Sequence, residues 1–290
     1  MRKMNILNSK KVKSLKDYFK KEPSVLLAFL FGSYVQGREM KESDFDVAVY
    51  LKNYHPIPCP LTQLKKPKAI RNLERKIWFG LSRLIHKEID LICLNEAPAT
   101  LVSNIFKTGV PLKIADKKLY WQLYLTKSLE AEDFSGFVED FREIKKSAKS
   151  LILEQKERIK IRLDYLNDEM KKIDRFKKLT LEDYVKNWEE RKIVERWAEG
   201  IMNATIDIAK IVLASEKKKI PNSYADALFY FGLFIGLNKN KSEKLSELAN
   251  LRNILAHEYL DILYGRIQNF IKEFPLLYEK IFNFLEKYLK

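Results

Sequence analysis

A short glycine- and aspartate-rich stretch between two apolar runs limits the folds open to this chain more than any other feature. Residues 32–46 follow the pattern GS-x3-G-x5-S-D-x-D and come directly after the apolar run VLLAFLF at residues 25–31. The run predicts a buried strand, and Gly32-Ser33 predicts a tight turn that opens a helix. The chain then returns as a second predicted strand at residues 44–50. Two buried strands joined through such a turn favour a small sheet with a ligand site at one edge.

Three aspartates fall on the predicted strands. Side chains alternate along a strand, so Asp44 and Asp46 share one face. Asp90 lies near the start of a third predicted strand at residues 88–94. Neighbouring carboxylates repel one another, and a divalent cation between them relieves that cost. The pattern therefore predicts a Mg²⁺–nucleoside triphosphate site, with the alternative of a turn followed by a solvated Ser-Asp-x-Asp loop.

These residues resemble the DNA polymerase β-like nucleotidyltransferases, in particular the minimal nucleotidyltransferase (MNT) antitoxin group, over roughly residues 20–115. The resemblance implies an enzyme that uses Mg²⁺ and ATP. It makes Asp44, Asp46 and Asp90 the catalytic metal ligands, and Asp90 would help to activate the incoming hydroxyl. It also places Gly32, Ser33 and Ser43 beside the nucleotide phosphates.

Length and composition set the general class of the protein. The chain has 290 residues, enough for two domains, with 46% hydrophobic residues and only 9 Gly and 9 Pro. No run of 18 apolar residues occurs, so we expect no membrane span. The start of the chain lacks the apolar core of a signal peptide. The two cysteines, Cys59 and Cys93, lie in unlike contexts, so we expect a cytoplasmic protein without a zinc site.

The basic charge is concentrated in the first part of the chain. Residues 1–115 carry 21 Lys and Arg against 10 Asp and Glu, whereas residues 116–290 carry 33 against 29. This excess would steer a polyanion toward the first domain, and a generally basic surface explains it equally well. Charge alone therefore does not establish that the protein binds RNA.

The predicted fold class changes along the chain. The first domain is predicted as α+β, a small mixed sheet with helices, over residues 1–145 including a linker helix. From about Leu119 the strand pattern is absent, and apolar residues recur at helical spacing, for example Leu163 and Leu166, then Ile193, Trp197 and Ile201. Residues 146–290 are therefore predicted to form an all-α bundle.

A second polar constellation lies near the end of the chain, in the stretch LRNILAHEY at residues 251–259. On a helix with about 100° per residue, Tyr259 lies about 20° from Arg252, and His257 lies about 140° away. Leu251, Ile254, Leu255 and Ile262 occupy the opposite arc. The helix would bury the aliphatic residues and present Arg252, Asn253, His257 and Tyr259 on its other side.

This stretch resembles the R-x4-H-x-Y motif of HepT-type HEPN domains, and the similarity covers roughly residues 146–290. Members are all-α ribonucleases that dimerise. The resemblance implies an RNA substrate, a homodimer through the helical domain, Arg252 and His257 as catalytic residues that need no metal, and Asn253 in support. The alternative is a helix-capping Arg and a surface His without catalytic roles.

MNT and HepT-type proteins commonly occur as separate antitoxin and toxin chains. Since both resemblances occur here in one chain, they imply a fused toxin–antitoxin-type protein. In that system the nucleotidyltransferase transfers AMP from ATP to the motif tyrosine, here Tyr259, and silences the nuclease. One alternative is a small-molecule nucleotidyltransferase with a helical substrate domain, as in the aminoglycoside-modifying enzymes. Another is a non-enzymatic regulator that binds RNA or nucleotides.

Overall fold

A computed structural model describes residues 9–36, 45–56, 66–147, 151–257 and 263–290. Contacts divide the chain into two compact units, and the division falls between Glu132 and Asp133. This point lies inside the long helix α5, Lys117–Ser147. The boundary predicted between residues 145 and 146 falls further along the same helix and stays a prediction.

The first unit is built on a small mixed sheet, as predicted, and a fourth strand joins the three that the sequence indicated. The strands are β1 (Val25–Phe31), β2 (Phe45–Leu51), β3 (Ile89–Cys93) and β4 (Val110–Ile114). Their order in the sheet is β3-β2-β1-β4. Strand β1 runs antiparallel to both β2 and β4, and β2 runs parallel to β3. The α+β fold class expected for this part of the chain is confirmed.

Helices cover both faces of the sheet. They are α1 (Lys10–Lys20), α2 (Gly32–Gln36), α3 (Lys68–Ile85) and α4 (Ala99–Thr108). Phe45, Val47 and Val49 pack with α1 and α3 on one face. Ala48 lies on the other face, where α4 and the first turns of α5 pack against the sheet. Because strand side chains alternate, Asp46 shares the second face with Ala48.

The second unit is helical, as predicted. Besides the second half of α5, it contains α6 (Leu153–Met170), α7 (Ile173–Phe176), α8 (Leu181–Lys186), α9 (Trp188–Ser215), α10 (Tyr224–Phe234), α11 (Lys239–His257) and α12 (Tyr264–Tyr288). Helix α9 contributes most to the core, because its apolar residues recur at helical spacing. Ile193 was expected on this buried stripe, but it is exposed near the start of α9. Within the described residues, no helix is long and apolar enough to cross a membrane.

A network of ion pairs joins three helices of the second unit. The Lys210 Nζ on α9 lies 2.7 Å from Asp140 Oδ2 on α5 and 3.1 Å from Asp207 Oδ1. Arg158 and Arg162 on α6 pair with the same two carboxylates. Burial acts to raise the pKa of Asp140, but hydrogen bonds from Arg158 and Lys210 outweigh it and hold the pKa below the ordinary 3.8. The network is therefore strongest with Asp140 ionised.

Replacing Lys210 by Met should lower the free energy of unfolding by about 2 kcal/mol at pH 7, because two carboxylates lose their shared ammonium group. The loss should shrink as the pH falls below 3.8, because the unfolded chain then takes up a proton on Asp140 more readily than the folded parent, in which the pKa of Asp140 is lower. Urea denaturation followed by circular dichroism at pH 7 and pH 3 measures both values. Lys186→Met, which removes an exposed pair with Glu182, is the control and should change stability by less than about 1 kcal/mol. Equal losses for Lys210→Met at the two pH values would contradict this account.

Candidate functional sites

The first candidate site lies where β1 ends and β2 begins. Gly32 opens α2 with φ +76°, a conformation that side chains other than glycine rarely adopt. A Cβ placed on Gly32 would overlap the Asp46 carboxylate and lie 2.5 Å from its Cγ. Both the backbone angle and the close approach therefore require glycine here. Helix α2 has only five residues, so a phosphate at this turn would depend on its backbone N–H groups and the Ser33 hydroxyl.

Two of the predicted catalytic aspartates are direct neighbours in the sheet. Asp46 and Asp90 are register partners on the parallel strands β2 and β3, and Asp46 also lies opposite Phe31 of β1. Partner side chains in a sheet point to the same face, and adjacent strands lie about 4.8 Å apart. Asp90 is exposed and Asp46 is half-buried. Asp44 and Ser43 lie outside the described residues, so their places in this site stay predictions.

The donor chemistry of this edge fits a hard divalent cation. Carboxylate oxygens on adjacent strands repel one another without a positive charge, and Mg²⁺ prefers oxygen ligands of this kind. The exposure of Asp90 leaves it open to an incoming hydroxyl. Asp46 and Asp90 are therefore the described residues that would hold a metal in the first unit.

A cleft of about 650 Å³ beside β3 extends from Asp90, and the sequence did not indicate it. Trp78 and Arg75 of α3 form part of its wall, together with the acidic Glu74 and Glu96. The Trp78 indole donates a hydrogen bond of 2.8 Å to the Ile89 carbonyl at the start of β3. The cleft joins residues from three separated segments, which explains why no local pattern predicted it.

The two glutamates of this cleft are already paired. The Lys66 Nζ lies 2.6 Å from Glu74 and 2.8 Å from Glu96. The Tyr54 hydroxyl donates to Glu96, and burial together with that carboxylate raises the pKa of Tyr54. Burial also raises the pKa of the nearby Cys93 thiol to about 12. Glu74, Cys93 and Glu96 lie close enough to share a cation, but the Lys66 ammonium already bridges the two carboxylates.

The second candidate site is centred on Arg252 of α11. The Arg252 Nε donates to Asn203 Oδ1 on α9 at 2.9 Å, and an Nη donates to Asp133 on α5. The guanidinium also lies over the Tyr224 ring of α10, 5.0 Å from its centroid. Burial and the charge of Asp133 raise the pKa of the Tyr224 phenol, whose hydroxyl donates to the Asp133 carbonyl. Arg252 is therefore fixed from three other helices.

The predicted neighbours of Arg252 are only partly described. Asn253 accepts a weak hydrogen bond of 3.4 Å from Arg252. Helix α11 extends to His257, whose side chain lies outside the described part of the chain, as does Tyr259. The convergence of Arg252 with His257 and Tyr259 stays a prediction. On the opposite side of α11, Leu251 is buried as expected, and Ile254 and Leu255 pack against the core.

Sequence reasoning missed three residues that hold Arg252. Asp133, Asn203 and Tyr224 lie on different helices, far from Arg252 in the sequence. They also border a cavity of about 330 Å³ next to the guanidinium. The other lining residues are Gly136, Phe137, Ile206, Asp207 and Lys210. The mixture of apolar, amide and charged groups suits a ligand that is itself both flat and polar.

Comparisons with known proteins match each unit to a family. Residues 13–118 match the family described as polymerase beta, nucleotidyltransferase, and residues 166–287 match the family described as ribonuclease HepT-like. A curated relative, the tRNA nuclease HepT of Aphanizomenon flos-aquae (strain 2012/KM1/D3), is 27% identical over 131 residues. That match covers 44% of this chain and 89% of the relative.

Similar solved structures come from toxin–antitoxin complexes. One is a toxin–antitoxin with AMP-PNP, at 19% identity and a TM-score of 0.36, covering 47% of this chain and 97% of that chain. Another is the tri-AMPylated Shewanella oneidensis HEPN toxin in complex with MNT antitoxin, at 14% identity and a TM-score of 0.33, covering 46% and 96%.

The two family matches define a two-domain protein of nucleotidyltransferase and HEPN type. This chain joins an N-terminal polymerase β-type nucleotidyltransferase domain to a C-terminal HepT-like domain in one polypeptide. Both families are enzyme families.

Gly32→Ala should destabilise the first domain by about 2 kcal/mol or more, because it combines an unfavourable φ with overlap at the Asp46 carboxylate. Asp46→Ala in the same chain should restore part of this loss by removing the overlap while the backbone strain remains. Thermal and urea denaturation of the parent, the two single variants and the double variant measure the coupling. Additive losses would show that the two residues do not touch.

Proposed function

We propose that the N-terminal domain is a Mg²⁺-dependent protein adenylyltransferase that transfers AMP from ATP to Tyr259 of the HepT-like domain. The observation that carries this proposal is the pairing of Asp46 with Asp90 on adjacent strands, against the backbone of Gly32. Asp46 and Asp90, with Asp44 beside them, would hold Mg²⁺. When bound, Mg²⁺ supplies positive charge that offsets the triphosphate.

In the proposed transfer, the Tyr259 phenolic oxygen forms a new bond to the α-phosphorus of ATP. The bond from that phosphorus to the bridging oxygen of the β-phosphate breaks, and pyrophosphate leaves. Asp90, which is exposed at the edge of the site, receives the phenolic proton. The backbone N–H groups at Gly32-Ser33, with the hydroxyls of Ser33 and Ser43, orient the phosphates.

The proposed role of the C-terminal domain is endoribonuclease activity without a metal. His257 moves a proton near neutral pH, and Arg252 holds the scissile phosphate. The ribose 2′-oxygen attacks the adjacent phosphorus, the bond to the 5′-oxygen breaks, and the products are a 2′,3′-cyclic phosphate and a 5′-hydroxyl. The fixed position of Arg252 supports this role, since a pre-organised cation stabilises charge that develops on the phosphate.

An AMP on Tyr259 would silence this nuclease. Its phosphate would place negative charge close to Arg252 and His257 and compete with RNA for the same cation. The angle of about 140° between Arg252 and His257 on an ideal helix supports a homodimer in which two copies of the motif face a shared cleft. In this proposal the protein is a self-regulated toxin–antitoxin-type fusion.

A second candidate function is nucleotidyl transfer to a small molecule. The cleft of about 650 Å³ beside Asp90 favours it, because this volume lies within the range of small-ligand sites. Glu74 and Glu96 on its wall would suit a cationic acceptor once released from Lys66. If the protein itself never gains AMP, nucleotidyl transfer to a small molecule becomes the preferred function.

Incubation with ATP and Mg²⁺ should raise the intact mass of the protein by one or more AMP units. Asp46→Asn and Asp44→Asn should abolish the gain through loss of a metal ligand, and Tyr259→Phe through loss of the acceptor. Tyr230→Phe removes a different tyrosine of the helical domain, one that is exposed, and should leave the gain unchanged. A mixture of Asp44→Asn and Tyr259→Phe chains shows whether transfer occurs between chains. An unmodified parent protein under all these conditions contradicts the self-silencing proposal.

Unmodified protein should cleave RNA in the presence of EDTA, and tRNA is the substrate to test first because the curated relative is a tRNA nuclease. His257→Ala should reduce the cleavage rate by about a hundredfold or more through loss of proton transfer. Arg252→Lys should also lower it, since an ammonium group cannot donate in the paired geometry of a guanidinium. Arg266→Ala changes an exposed arginine of α12 and should cleave like the parent. Cleavage that persists in a double His257→Ala, Arg252→Ala variant would assign the activity to another site.

A further inference from the structure

Gly136 is a glycine in the interior of α5 for which the described fold offers no packing reason. Glycine within a helix costs about 1 kcal/mol relative to alanine. Two other helix-interior glycines of this unit have close neighbours: a Cβ on Gly200 would overlap the Tyr165 hydroxyl, and one on Gly232 would lie 2.8 Å from the Ser242 Oγ. A Cβ on Gly136 meets no described atom within 4 Å. Its backbone therefore faces open space.

The open space beside Gly136 is the cavity next to Arg252. Gly136 lines that cavity together with Asp133, which lies one turn earlier on α5 and binds the Arg252 guanidinium. Asn203 and Asp207 of α9 also line the cavity. The missing side chain therefore widens the cavity at the point where a bound molecule would meet α5.

The chemistry of the cavity matches a nucleotide better than a purely apolar or purely charged ligand. Phe137 and Ile206 are almost fully buried and supply apolar walls. Asn203 supplies an amide, and Lys210 pairs with Asp207 at 3.1 Å on the same wall. A volume of about 330 Å³ lies at the small end of the range for small-ligand sites, about 300–1,000 Å³. A nucleobase has the same combination of a flat apolar face and a polar edge.

We propose that this cavity is a nucleotide subsite of the ribonuclease, which receives the RNA residue next to the phosphate held by Arg252. Gly136 allows the base and ribose to approach the backbone of α5, and Asn203 contacts the polar edge of the base. The proposal rests on the ribonuclease function proposed above and adds a position that determines which RNA residue is accepted.

Graded substitutions of Gly136 in the full-length protein test the subsite. Gly136→Ala should raise the melting temperature, because alanine favours the helix and meets no neighbour, while Gly136→Leu fills the cavity. Gly136→Leu should weaken binding of fluorescently labelled tRNA and lower its cleavage, each by about tenfold or more, and Gly136→Ala should have a smaller effect of the same sign. Intact mass confirms that all variants carry the same AMP content.

Gly265→Leu is the matched control, since Gly265 also lies in a helix, and a Cβ built there meets no described atom within 4 Å. It should bind and cleave tRNA like the parent. Parental binding and cleavage by Gly136→Leu would overturn the subsite. A change in oligomer size for Gly136→Leu in light scattering would also overturn it, because Gly136 would then receive a second copy of the chain. If the parent and Gly265→Leu bind tRNA without cleaving it, the ribonuclease proposal fails, and the binding measurements alone decide the subsite.

Discussion

The close approach of the Asp46 carboxylate to the Gly32 backbone is the contact on which the candidate site of the first domain depends. Any side chain at position 32 would overlap that carboxylate, so the turn after β1 can lie against β2 only with glycine. The same arrangement sets Phe31 opposite Asp46. Parallel pairing of β2 with β3 then brings Asp90 beside Asp46. The glycine at position 32 and the registers of β2 with β1 and with β3 thus bring the carboxylates of Asp46 and Asp90 together.

In the helical domain, Arg252 has the corresponding central position. Its guanidinium is bound by Asn203 and Asp133 and lies over the Tyr224 ring, so that three other helices hold it in place. Asp133 also balances its charge. An anion that reaches Arg252 must therefore compete with Asp133 for the guanidinium. In the proposed function, this competition would make the site sensitive to the negative charge of RNA or of a modified Tyr259.

Local sequence patterns predicted much of the secondary structure correctly. The apolar run before Gly32 forms β1, and the strands around Asp46 and Asp90 begin within one residue of the expected positions. These predictions succeeded because a strand that is buried on both faces is a continuous apolar run, and a helix that is buried on one side repeats its apolar residues about every 3.6 positions. Ile193 was wrong as a buried residue, since near the start of α9 the next residue, Val194, takes the buried position and Ile193 faces solvent. The contacts of Lys66 with Glu74 and Glu96 followed no period and were not predicted.

The sequence by itself determined the two kinds of domain, their order, and the residue types at each candidate site. It could do so because the motifs around Asp46 and Arg252 are short, continuous stretches whose residue types and spacing indicate their chemistry. Only the tertiary structure decided which distant residues complete these sites. Arg252 donates hydrogen bonds to Asp133 and Asn203 only because the helices pack as they do, and the open cavity beside Gly136 depends on the same packing. Such packing joins positions far apart in the chain through side-chain shape and charge, and no repeating pattern along the sequence records it.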